Sequence, residues 1–355
     1  MHNARAIFAV PGDLSIRTGG YIYDRKVMDE LRDRGIDVEH VELPASFPFP
    51  DAADIAETIE ALNARSGHLP VIIDGLAWGA VPHEQARRVR APVIALCHHP
   101  LGLEAGLQPA QAAFLIQNEK KNLELAAHVI VTSKTTARTL MDDFAVPANR
   151  ISVAEPGVER RNRARGSGTD IVEVLSVGAL VPRKGHDLLI EALARLSELP
   201  WRLRIAGSFT RAAEWTEQLQ KRIAEHDLHR RISLLGELDD QTLAHIFDTS
   251  DLFVSSSHYE GYGMVLAEAM SCGLAIISTT GGAAADTVPD ACAIKIPSGD
   301  VAALERALGN AIGDAGLRQQ LADAAWQAGQ SLPHWADAAD IFATIIDKIG
   351  GSVRA

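Results

Sequence analysis

Two parallel α/β sheets, each covered by helices on both faces, are the architecture this sequence predicts. Three observations predict it. Short apolar, β-branched runs alternate with helix-length segments, the alternation occurs in two series, and a polar, glycine-bearing stretch separates the series. With 355 residues, 47% of them hydrophobic, the chain can fill two cores rather than one.

In the first series the strands fall at 6–10, 71–73, 92–96 and 129–132, with helices such as 22–34 and 108–127 between them. The second series places strands at 171–177, 203–206, 232–235, 252–255, 275–278 and 293–296. The stretch 159–169 is polar and poor in apolar residues, so it reads as a linker; Arg160, Arg161, Arg163 and Arg165 within it read as a solvated charge run. Near the end, Trp335, Ala338, Phe342, Ile345 and Ile349 recur at helical spacing and predict an amphipathic helix. The expected domains are 1–160, 170–330, and a terminal helix in 331–355 that crosses back toward the first domain.

Charge and cysteine usage narrow the class. A formal net charge of −12 argues against a default affinity for nucleic acid or anionic lipid, and peripheral membrane contact is not indicated. Cys97, Cys272 and Cys292 have no Cys-x-x-Cys spacing, so neither a disulfide framework nor a zinc site is expected. The apolar run between Met1 and Val10 is too short for a signal peptide, and a cytoplasmic protein is expected.

In an open parallel sheet, ligands bind at the loops beyond the carboxyl ends of strands. The loop 12–20 carries Gly19 and Gly20, which would let backbone approach a ligand; a plain tight turn explains them equally well. The loop after the strand 171–177 carries Arg183, Lys184 and Gly185 before a helix. Cations at the positive end of a helix dipole are unfavourable unless an anion binds there, so the pair predicts a diphosphate site. In 255–273, a strand ends, a loop carries Glu260, and a short helix begins near Gly263 with Glu268 just over a turn inside it. Helical side chains lean toward the N-terminus, which aims Glu268 back at the loop of Glu260. The N–H groups of Gly263, Met264 and Val265 suit phosphates, and the two carboxylates suit sugar hydroxyls.

Together these residues resemble the retaining glycosyltransferases of family four, whose GT-B fold consists of two facing Rossmann-like domains with a cleft between them. The resemblance runs nearly the whole chain: Gly19-Gly20, Arg183-Lys184-Gly185, Gly236-Glu237-Leu238, the pair Glu260 and Glu268, and Gly281-Gly282. It implies that Glu268 bonds the donor ribose, that Glu260 contacts the transferring sugar, and that Lys184 with Arg183 neutralises the leaving diphosphate. It also implies that backbone near Leu238 meets the nucleotide base, and that Gly261, Tyr262, Gly263, Met264 and Val265 line the donor. By the same resemblance His98 would face the sugar from the first domain, with His99 the alternative. Two departures stand out: Ala179 follows Gly178 where the family commonly has arginine, and Asp286 stands where a glutamate near a proline is usual.

The expected activity is transfer of a sugar from a UDP-, GDP- or ADP-sugar to a small molecule, glycan or lipid. Retention is implied by the resemblance. Metal and further cofactors are not expected, since no Asp-x-Asp triplet or histidine cluster with ligand spacing appears. Competing readings are a catalytically silent nucleotide-sugar-binding protein, encouraged by Ala179, and a glycosyl phosphorylase or hydrolase on the same fold.

Overall fold

The computed structural model describes residues 5–66, 69–104 and 106–354, so the first four residues of the Met1–Val10 stretch lie outside the described residues. The chain forms two compact units, one running to Gly157 and resuming at Pro333, the other spanning Val158–Leu332.

The first unit holds β1 (Arg5–Pro11), α1 (Gly19–Asp33), β2 (Asp37–Leu43), α2 (Ala52–Ser66), β3 (Val71–Asp74), α3 (Gly75–Trp78), α4 (His83–Ala86), β4 (Val93–Cys97), α5 (Pro109–Leu125), β5 (His128–Val131), α6 (Lys134–Asp142) and β6 (Ile151–Val153). Its strands pair in parallel in the order β2-β1-β3-β4-β5-β6. Strands β1, β3, β4 and β5 are buried throughout their interiors, as a sheet covered on both faces requires. The edge strand β2 instead alternates buried Val38, Val41 and Leu43 with exposed Asp37, Glu39 and Glu42.

The second unit holds β7 (Val172–Val177), α7 (His186–Ala194), β8 (Trp201–Ala206), α8 (Ala213–Glu225), β9 (Ile232–Gly236), α9 (Asp240–Asp248), β10 (Leu252–Ser255), α10 (Met264–Ser271), β11 (Ala275–Thr279), α11 (Ala284–Thr287), β12 (Ala293–Ile296), α12 (Val301–Gly313) and α13 (Ala315–Gly329). Its parallel order is β12-β11-β10-β7-β8-β9.

The last helix, α14 (Trp335–Arg354), belongs to the first unit. Trp335, Ala338, Phe342, Ile345 and Ile349 are all buried, so the apolar stripe read from the sequence is the face that packs. Phe342 stacks on Phe8 of β1 and meets Tyr23 of α1, while Arg34 bonds Asp340 and the carbonyl of Ala336.

The stretch 159–169 is packed into the second unit rather than spanning free between units. Arg160 donates to the carbonyls of Gly329 and Leu332, Arg163 pairs with Asp323, and Arg165 pairs with Asp248. Arg160 and Arg165 stay exposed, as a solvated run expects, while bonding groups on or just after α9 and α13, and the crossings between units fall at Gly157/Val158 and Leu332/Pro333. Among the described residues no helix is long and apolar enough to cross a membrane.

Candidate active site

In the second sheet the strand order reverses between β10 and β7, and the loops leaving those strands meet there. Such a reversal opens a crevice at the carboxyl ends of an open parallel sheet. The two loops are held by main-chain contacts: His258 N–H donates to the Arg183 carbonyl at 2.7 Å, and the Ser256 hydroxyl donates to the Lys184 carbonyl at 3.0 Å. Gly185 makes the approach possible, since its φ is +62° and a Cβ there would stand 2.2 Å from the Ser256 carbonyl oxygen.

These contacts bring three sequence-predicted residues together. Lys184 Nζ lies 2.6 Å from Glu260 Oε1; Arg183 Nη1 lies 3.6 Å from Oε2 and donates to the Tyr259 carbonyl at 2.7 Å. The Glu260 side chain is only 8% exposed. Burial alone would raise its carboxyl, but Lys184, Arg183 and a hydrogen bond from Ser257 outweigh it and hold the group down at about 2. This amends the argument from the helix dipole: Glu260 already supplies the anion that two cations at a helix start require, so their placement does not by itself demand a phosphate. Counted by itself, the trio of two cations and one carboxylate is net positive.

The glycines after β11 set the Glu260 loop. Glu260 bridges Gly282, donating its N–H to the Gly281 carbonyl and accepting from Ala283 N–H. A Cβ on Gly281 would stand 2.1 Å from the His258 carbonyl oxygen, and one on Gly282 would stand 2.4 Å from that of Glu260. Asp286 lies on α11, just beyond this bridge.

Helix α10 starts after Gly263, so the N–H groups of Gly263, Met264 and Val265 precede the first intrahelical acceptor, the Gly263 carbonyl taken by Leu266. Gly261 is half-exposed beside them. Tyr262 is different: its side chain is buried in the apolar cluster that holds Leu266, Ala267 and Val288, and its carbonyl accepts from the Thr287 hydroxyl. Leu238 is half-buried in the loop between β9 and α9, next to the helix-capping Asp239.

Glu268 does not join the Lys184 cluster. The charges acting on it are Arg161, Asp240 and Glu159, whereas those on Glu260 are Lys184 and Arg183. Burial pushes Glu268 up, with Arg161 opposing. Arg161, which the sequence offered as one arginine in a run, lies 5.6 Å over the Phe247 ring and faces Glu268 instead of solvent. A groove of about 780 Å³ lined by Arg161, Arg163, His245, Asp248 and Cys272 shares no residue with the Lys184 cluster.

The first unit builds a second cluster where its own strand order reverses, between β1 and β3. Gly19 and Gly20 are not in a loop before the helix: they are the first turn of α1, capped by Thr18, whose hydroxyl accepts from Tyr21 N–H. Gly20 borders His98, whose Nε2 lies 3.5 Å from where a Cβ would be. That Nε2 is 3.3 Å from Asp24 Oδ1 and 3.4 Å from Asp74 Oδ2, and the three groups place one polar atom each within 4.8 Å of one another. His99 turns elsewhere, its Nε2 lying 2.6 Å from Glu104 Oε2. The sequence reading missed Asp24 and Asp74, although Asp24 gave a signal: it falls in the buried stripe of α1 with Val27, Met28 and Leu31.

Comparison with known proteins identifies the family and the fold. A model described as glycosyltransferase family 4 matches residues 22–161, and one described as glycosyl transferases group 1 matches 159–327. The chain is 25% identical over 307 residues to an MMP alpha-(1->4)-mannosyltransferase of Mycolicibacterium hassiacum, covering 80% of this chain and 73% of that protein. It is 29% identical over 294 residues to a D-inositol 3-phosphate glycosyltransferase of Geodermatophilus obscurus, covering 72% of this chain and 64% of that one. Among solved structures, sucrose-phosphate synthase from Thermosynechococcus elongatus superposes with a TM-score of 0.83 at 20% identity, over 98% of this chain and 99% of that one. Anabaena HepE in complex with UDP-glucose gives a TM-score of 0.73 at 17% identity, over 96% and 99%. The two-domain α/β fold is therefore of the GT-B type, and the chain belongs to glycosyltransferase family 4.

Proposed function

We propose that this glycosyltransferase takes a hexosyl group from a nucleoside diphosphate sugar and transfers it, with retention and without a metal ion, to a hydroxyl acceptor. The observation that carries the reading is the trio of half-buried Lys184 and Arg183 with buried Glu260 at the strand-order reversal of the second sheet, net positive when counted by itself. Negative charge develops on the diphosphate only as the glycosidic bond breaks. A fixed cation in a buried site therefore stabilises the transition state more than the ground state. In this role Lys184 and Arg183 turn from Glu260 toward the diphosphate, assisted by the N–H groups at the start of α10. Glu260 is thereby freed to meet the sugar, and Glu268 bonds the ribose.

HepE, a protein of similar fold, binds UDP-glucose, which supports a nucleotide sugar as the donor class. The family's usual stereochemistry supports retention. Cys97, Cys272 and Cys292 are all buried free thiols, which suits a reducing, cytoplasmic setting. A hydrolase using Glu260 and Glu268 as a pair is disfavoured, because it gives Arg183 and Lys184, which are paired with Glu260, no chemical role.

The test is a thermal-shift screen of nucleoside diphosphates and their sugars, followed by transfer assays with the stabilising donor in chelator and NMR of the product anomer. A donor-type nucleotide sugar should stabilise the protein and its anomeric configuration should persist in the product. Transfer that stops in chelator, or an inverted product, would contradict the reading.

A further inference from the structure

The buried acids beside His98 do more than fill space. Asp24 and Asp74 are 0% and 1% exposed, come from α1 and the end of β3, and converge on one imidazole nitrogen from two directions. Asp74 is partly used elsewhere, its Oδ1 accepting Leu76 N–H at the start of α3. Neither oxygen of Asp24 accepts a hydrogen bond of good geometry, and His98 Nε2 is likewise buried without one. Burial pushes Asp24 up to about 7 against the pull of His98, so the cluster must hold a proton, and His98, facing both acids, is the group that can carry it as a positive charge.

We infer that Asp24 and Asp74 are positioning residues that hold His98 as an imidazolium, so that the exposed part of its ring meets substrate as a hydrogen-bond donor and not as a base. This rests on the reading that His98 faces the transferred sugar. The logic is that of tautomers. With Nε2 fixed against two carboxylates, a neutral ring would leave Nδ1 an acceptor, able to take a proton from a hydroxyl; a charged ring has N–H on both nitrogens and can only donate. The side chain is 21% exposed while Nε2 itself is buried, so the exposed surface belongs to the rest of the ring.

The groups packed around the ring favour the charged form. From α1 come Asp24 and Tyr23, the latter edge-on at 5.3 Å with its hydroxyl donating to the Ala154 carbonyl. From β3 comes Asp74, and from β5 and α6 come the uncharged Thr132 and Thr136, whose hydroxyls point at the His98 carbonyl. On β4 itself Cys97 and, across from it, Glu119 of α5 are joined to each other, and His99 pairs with Glu104. Burial lowers the imidazole, but Asp24 and Asp74 together overcome it and push it up to about 10. No cation is among the groups acting on it.

The experiment is a histidine NMR titration of the full chain, with the His98 signals assigned by loss in H98Q, alongside the pH profile of kcat/KM. In the wild type the His98 ring should stay charged from about pH 6 to about pH 9, and in D24N and D74N its titration should fall by at least about one unit, the alkaline limb of activity moving with it. A wild-type ring titrating near the ordinary histidine value overturns the inference without needing either variant to fold. So does an unchanged titration in both variants, or a stabilisation by zinc or manganese that D24N abolishes, which would make the cluster a cation site. Full transfer activity in H98Q would instead remove His98 from the sugar site, a failure of the functional reading that the wild-type titration does not share.

Discussion

At the strand-order reversal of the second sheet two cations share one carboxylate, whereas at that of the first sheet two carboxylates share one histidine. The first arrangement has positive charge to spare and can accept an anion. The second, even with its imidazole protonated, has none, and would repel one. The contrast in charge is what the proposed function draws on when it puts the diphosphate of the donor in the second unit. The two clusters also differ in how they are held. Lys184 and Glu260 are placed by main-chain contacts that exclude side chains at Gly185, Gly281 and Gly282. His98 is backed by Tyr23, which in turn rests on Trp335 and Phe342 of α14.

The largest effect should come from breaking that aromatic support. Phe342→Ala removes a fully buried ring that stacks on Phe8 and meets Tyr23, and should cost about 3–5 kcal/mol of stability. The comparison makes this loss local. In hydrogen exchange, the amides of β1 to β6 should lose protection while those of β7 to β12 keep theirs, and equal loss in both sheets would mean the units do not stand apart energetically.

Lys184→Ala comes next. If Lys184 is aimed at developing charge as proposed, removing it should lower kcat by roughly 100- to 1,000-fold, with KM for the donor changing far less, because in the proposed reaction the interaction is made chiefly as the diphosphate departs. The same substitution also strands Glu260, so a modest loss of thermal stability should accompany it. Near-normal turnover would take Lys184 out of the mechanism and leave the surplus charge without a chemical purpose.

How much of this was legible beforehand depended on whether the signal was local. All six strands of the second sheet showed as apolar runs, most plainly β10 and β11, which are buried along their whole length. In the first sheet β2 was missed, since its alternation of acids with valines does not form a run, and β6 was missed because it is three residues long. Lys184, Arg183 and Glu260 could be chosen from their motifs, but not that Glu260 neutralises the other two, which depends on a contact across 76 residues. Asp74 offered no pattern, because its partners come from other elements. Arg161 was hidden by its neighbours: in a run of arginines nothing local marks the one that turns inward over Phe247. In the stretch 159–169 polarity did mark exposure, the Arg165 side chain being 75% exposed, but gave no sign of the carboxylates on α9 and α13 that tie it to the second unit.

The last effect turns the charge comparison into a pH comparison. Glu260 titrates at about 2 in the folded protein against an ordinary value of 4.5, so its contribution to stability is complete above 4.5 and is lost as pH falls from there through 2. At 1.36 kcal/mol per unit the amount is on the order of 3 kcal/mol. His98 runs the other way: its folded value, raised to about 10 from 6.5, gives stabilisation that is complete below 6.5 and is lost as pH climbs through 10. Acid should therefore loosen the second unit through Glu260, and alkali the first through His98. The acid limb can be isolated, because Glu260→Gln has no proton to gain. Thermal melts from neutral pH down to about pH 3 should show a shallower acid slope for this variant than for the wild type, at the expense of lower stability near neutrality. Parallel slopes would mean that the two cations are not what depresses Glu260, and that the surplus charge at the second reversal has been miscounted.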